Sequence, residues 1–122
     1  LILLVEDNDD IASYVKLFLE TMGLASHHAS NADDALEWLK SNRPDLILLD
    51  IGLPGTSGWQ LLEQIKDRVK QDNIRVVVVT AFTDPANRLV GKFQHIDAYL
   101  NKPYEFGQLK KLMGELLGIS IS

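Results

Sequence analysis

Apolar side chains fall along this chain in two alternating rhythms. Short unbroken runs at Leu1 to Val5, Leu46 to Leu49 and Val76 to Val79 lack the in-and-out alternation of a half-exposed strand. They read as strands covered on both faces, the condition of a parallel sheet. Weaker runs at Leu24 to His28 and Asp97 to Leu100 are placed as strands because they fall between helical patterns. In the intervals the period lengthens. Ile11, Val15, Phe18 and Met22, behind caps at Asn8 and Asp9 and ahead of Gly23, predict a first helix. Asn31 followed by Ala35, Leu36 and Leu39 predicts a second, and Leu61, Leu62, Ile65 and Val69 a third. Asp84 and Pro85 form a cap followed by proline at the first helical position, opening a fourth helix towards Phe93. A fifth runs from about Tyr104, with Leu109, Leu112, Met113 and Leu116 inward.

Five strands alternating with five helices predict right-handed crossovers and a doubly wound α/β fold, with its site beyond the carboxyl ends of the strands. No Pro/Gly/Ser-rich linker or internal repeat breaks the alternation, so residues 1 to 122 are expected to form one domain. The start inside an apolar run leads to the further expectation that the domain belongs to a longer protein.

Composition narrows the chemistry. A net charge of -5, with 12 Lys and Arg scattered along the chain, argues against direct binding of nucleic acid, whose phosphates call for clustered cations. No apolar run approaches the ~20 residues of a membrane span, and a cytoplasmic location is expected. The absence of cysteine removes disulfides, thiolate metal sites and thiol nucleophiles.

Two of the central strands run directly into carboxylates: Val5 is followed by Glu6 and Asp7, and Leu49 by Asp50. In neighbouring parallel strands these three acids converge at one sheet edge, where mutual repulsion calls for protonation or a cation. All-oxygen ligation that leaves water on the ion, commonly in company with phosphates, is the preference of Mg2+. Strand four ends in Thr80 and strand five leads into Lys102. The same edge thus gains a hydroxyl and an ammonium group suited to the spreading charge of a phosphoryl group. Asp50 is then placed to be the attacking oxygen, since carboxylates form aspartyl phosphates.

Four segments in order, LLVEDN at 3 to 8, DLILLDIGLPGTSG at 45 to 58, VVVVTAF at 76 to 82 and DAYLNKPY at 97 to 104, resemble the response-regulator receiver family of two-component signalling, the family of the chemotaxis regulator. The resemblance covers essentially the whole chain. It implies a flavodoxin-like five-stranded parallel sheet in the order 2-1-3-4-5. It also implies phosphorylation of Asp50 by a histidine kinase or a histidine phosphotransfer domain. Mg2+ would be held by Asp7, Asp50, the backbone carbonyl of Gly52 and, through water, Glu6. Thr80 and Lys102 would meet the phosphoryl oxygens. Tyr99, three positions before the lysine, would turn inward as Thr80 moves, and Lys102 to Pro103 would be a cis peptide. Such a domain is a signalling switch, not a conventional enzyme. It acts as a monomer or a phosphorylation-dependent homodimer, directly on neither nucleic acid nor membrane.

This chain departs from the family pattern at several positions. His95 and Ile96 replace its usual Gly-Ala pair before strand five, Glu6 replaces a frequent aspartate, and Gly52 and Phe82 fill positions that tune phosphoryl lifetime. The competing reading, a phosphohydrolase acting through an aspartyl phosphate, lacks an acid two residues after Asp50, where Gly52 stands. Asp7 to Asp10 resemble the start of a calcium loop, but Ile11 and Ala12 occupy positions that need an oxygen ligand and glycine. His27 and His28, on a weak strand without nearby acids or cysteines, are expected at a surface or edge and not as metal ligands.

Overall fold

The structure, a computed structural model, describes residues 1–51, 58–80, 96–101 and 104–118, without the side chain of Thr80. The expected fourth helix at 84 to 93, together with Gly52, Phe82, His95, Lys102 and the Lys102 to Pro103 peptide, lies outside the described residues.

Five strands, β1 (Ile2–Val5), β2 (Ser26–Ala29), β3 (Leu46–Asp50), β4 (Arg75–Thr80) and β5 (Ala98–Asn101), form one parallel sheet in the order β2-β1-β3-β4-β5. The described helices are α1 (Asp9–Thr21), α2 (Ala32–Leu39), α3 (Gly58–Asp72) and α4 (Phe106–Leu117), the last being the predicted fifth helix. The fold is the doubly wound α/β arrangement read from the sequence.

The continuous apolar runs are explained by the two cores they feed. Leu3, Val5, Ile47, Leu49, Val76 and Val78 enter one cluster with side chains of α2 and α3. Ile2, Leu4, Leu46, Leu48, Val77 and Val79 enter another with side chains of α1 and α4. Successive strand residues point to opposite faces, so a strand buried on both must be apolar at every position. Among the described residues the soft strands β2 and β5 are the sheet's edges, paired on one side only.

Helix boundaries follow local chemistry. Asn8 caps α1 by accepting from the Ile11 N–H (3.0 Å), and Asn31 caps α2 by accepting from the Asp34 N–H (2.8 Å). Gly23, at φ +77, follows α1. The inward stripe of α1 differs from the sequence expectation by one position. Ala12, Val15 and Leu19 are buried, whereas Ile11 is 41% exposed. Phe18 and Met22 flank the stripe, half-buried against the same core.

Candidate phosphoryl-transfer site

The acid cluster is a product of sheet register. Val5 of β1 stands opposite Leu49 of β3, so the next residues, Glu6 and Asp50, leave adjacent strands side by side. The Glu6 N–H still reaches the Ala29 carbonyl (3.1 Å) and the Ile51 N–H the Val79 carbonyl (3.0 Å), which extends the ladder one step past the strand ends on either side. Three residues separate Val5 from α1, and two of them are the acids. The third, Asn8, caps the helix and donates its N–H to Glu6 Oε1 (3.3 Å), drawing that carboxylate towards the positive end of α1.

Glu6, Asp7 and Asp50 each offer a carboxylate oxygen within 4.8 Å of the others'. Glu6 and Asp50 are 5% and 6% exposed, and Asp7 is open to solvent. Buried like charges at this spacing favour a cation between them. Ligands of an octahedral Mg2+ at ~2.0–2.1 Å stand roughly 3–4 Å from one another, a spacing compatible with that of these oxygens. The donor set, all hard oxygen with one exposed member, fits an ion that keeps part of its water. Asp9 and Asp10 do not join this group. They occupy the first turn of α1, where acids complement the helix dipole.

The remaining expected residues are located to different depths. Asp50 pairs in register with Val79, which places Thr80 one step beyond it at the end of β4. Thr80 in turn pairs with Asn101, the residue before Lys102 in the sequence. The side chain of Thr80, together with Gly52 and Lys102, lies outside the described residues. Tyr99 is half-buried against the α2/α3 core, opposite Val78.

Two neighbours of the acids escaped the sequence reading. Tyr104, half-buried against the α1/α4 core, has its phenol pKa raised from 10.0, first by burial and then by the charges of Glu6 and Asp50. It therefore senses the charge of the site. His28 places Nε2 2.7 Å from the main-chain carbonyl of Glu6. Its signal in the sequence was position alone: β2 pairs with β1, which sets His28 opposite Leu4, two residues before Glu6.

Residues 2–113 match the family model described as the response regulator receiver domain, and the chain belongs to that family. It is a receiver domain of two-component response regulators. Among curated relatives, the transcriptional regulatory protein AfsQ1 of Streptomyces coelicolor is 34% identical over 104 residues, 85% of this chain and 45% of AfsQ1. The chain spans about half the length of the curated relatives it matches. Among solved structures, the signal receiver domain of a signal transduction histidine kinase from Syntrophus aciditrophicus has a TM-score of 0.86 at 29% identity, covering 99% of this chain and 96% of that one. The response regulator TrrA from Thermotoga maritima, solved in complex with Mg2+ and BeF, has a TM-score of 0.83 at 30% identity, covering 94% and 96%. These comparisons give no support to the phosphohydrolase reading.

Proposed function

We propose that Asp50 accepts a phosphoryl group from the phosphohistidine of a histidine kinase or a histidine phosphotransfer domain. The observation that carries this reading is the meeting of Glu6, Asp7 and Asp50 at one sheet edge, with Asp50 buried at the end of the central strand β3. A carboxylate oxygen of Asp50 bonds to phosphorus, the phosphorus–nitrogen bond of the donor breaks, and its electron pair returns to the imidazole. Glu6, Asp7 and Asp50, with the Gly52 carbonyl, are the proposed holders of Mg2+, the ion carried by the TrrA structure. When bound, the ion neutralises phosphoryl oxygens as charge moves onto them. Lys102 pairs with a further oxygen and Thr80 bonds another.

The product biases a two-state surface through Thr80 and Tyr99, since a bound group shifts only states with which it interacts differently. Tyr99 already packs against the core that carries α3. No helix among the described residues is long and apolar enough to cross a membrane, and we assign the domain to the cytoplasm, where the phosphodonor is made. Its working form is a monomer, or a dimer after phosphorylation.

Incubation with Mg2+ and a small phosphodonor such as acetyl phosphate, followed by intact mass, tests this reading. The wild-type chain gains one phosphoryl group and Asp50→Asn gains none. Equal labelling of the two proteins defeats the assignment.

A further inference from the structure

The backbone ladder between β1 and β2 ends at the bond from the Glu6 N–H to the Ala29 carbonyl. The strand β2 ends at Ala29, and two residues later Asn31 is already capping α2. The next donor to β1 comes instead from a side chain. His28 reaches forward along the sheet and sets its ring Nε2 2.7 Å from the Glu6 carbonyl oxygen. A carbonyl only accepts, so Nε2 carries the proton in this contact. His28 is half-buried, and its neighbour His27 points to the opposite face, where it stacks on Trp38 at 4.9 Å.

We propose that His28 is a positioning residue for the acid site: by holding the Glu6 carbonyl it fixes the direction in which the chain leaves β1, and with it the placement of the Glu6 and Asp7 carboxylates against Asp50. Glu6 is the pivot of this turn. Its N–H is held by Ala29, its carbonyl by His28, and its carboxylate receives the Asn8 N–H. Rotation of the peptide after Glu6 would swing Asp7, the exposed member of the cluster, away from the other two acids. Metal sites tolerate about 0.5 Å of such error before affinity falls. The edge strand β2 therefore contributes to the site without supplying a ligand. This role rests on the proposed Mg2+ site.

The test compares His28→Leu, His28→Gln and His27→Leu in the whole chain, with Mg2+ affinity measured by calorimetry and thermal stability measured without Mg2+. His28→Leu removes the donor and weakens Mg2+ binding by about tenfold, the lower end of what loss of an outer-shell partner does. His28→Gln offers an amide N–H at a similar reach and recovers most of that affinity. His27→Leu, on the other face, binds Mg2+ like wild type. A purely structural role would lower the melting temperature of His28→Leu and leave the affinity of the folded protein unchanged, which overturns the proposal. Equal loss in His28→Leu and His28→Gln also overturns it, because the ring's packing would then be responsible. Should His28→Leu fail to fold, the 15N spectrum of the wild-type imidazole decides: a proton on Nε2 supports the proposal, and a proton on Nδ1 alone overturns it. A wild-type chain that takes no Mg2+ contradicts the proposed function and this role together, whereas normal wild-type binding with no effect of His28→Leu contradicts this role only.

Discussion

Gly58 stands so close to Ile51 that a Cβ on it would lie 2.9 Å from the Ile51 Cα and 3.2 Å from the Asp50 carbonyl oxygen. The start of α3 is thus pressed directly against the residue proposed to take the phosphoryl group. Gly58→Ala is expected to force this contact apart at a cost of about 1–3 kcal/mol and to slow phosphorylation of Asp50. Gly107, in α4, has nothing among the described residues within 4 Å of its missing Cβ. Gly107→Ala is expected to raise stability by roughly 0.5–1 kcal/mol through helix propensity. Denaturant unfolding of the two variants gives shifts of opposite sign.

Tyr104 reports the charge of the acid cluster. Burial, then Glu6 and Asp50, raise its pKa above 10.0 in the folded chain. The folded state therefore holds this proton more tightly than the unfolded state does. Its contribution to stability is present below pH 10 and is lost as pH rises through the folded pKa. Glu6→Gln removes one of the charges, and Mg2+ offsets several. Each is expected to move the Tyr104 phenolate transition back towards pH 10, followed by ultraviolet absorbance against a Tyr104→Phe baseline. A transition that ignores both changes would place the ring outside the field of the site.

Arg68 fastens α3 to the end of α2, away from the acids. Its guanidinium donates to Asp72 Oδ2 (2.7 Å), to the Asn42 carbonyl (2.7 Å) and to the Leu39 carbonyl. Arg68→Ala is expected to cost about 2 kcal/mol, since several donors are lost and two carbonyls lose a charged partner. Arg68→Lys recovers little, because one ammonium cannot reproduce the planar fork. Mg2+ affinity at a temperature where both variants are folded is expected to equal that of wild type.

The sequence made the acids legible because of what precedes them. Leu1 to Val5 and Leu46 to Leu49 are apolar at every position, so the abrupt change to Glu6, Asp7 and Asp50 marks strand ends. The caps Asn8 and Asn31 were equally plain, since each acts within three residues of itself. Ser26–Ala29 and Ala98–Asn101 were faint because an edge strand is specified by its single neighbour more than by its own composition. The stripe of α1 was misplaced by one position at Ile11 because a helix with apolar residues at 11, 12, 15, 18 and 19 offers two overlapping faces. Only contact with the sheet and with α4 selects Ala12 over Ile11. His28 and Tyr104 went unrecognised as neighbours of the acids because each depends on pairing between segments far apart in sequence.

The identity of the acceptor atom can be read chemically. Borohydride reduces an aspartyl phosphate to homoserine and leaves free carboxylates untouched. After treatment with Mg2+ and acetyl phosphate, peptide mapping of the reduced wild-type chain should find homoserine at position 50 and at no other acid. Homoserine at position 6 or 7, or a phosphoryl group that resists borohydride and persists in Asp50→Asn, would contradict the assignment of Asp50 as the phosphoacceptor.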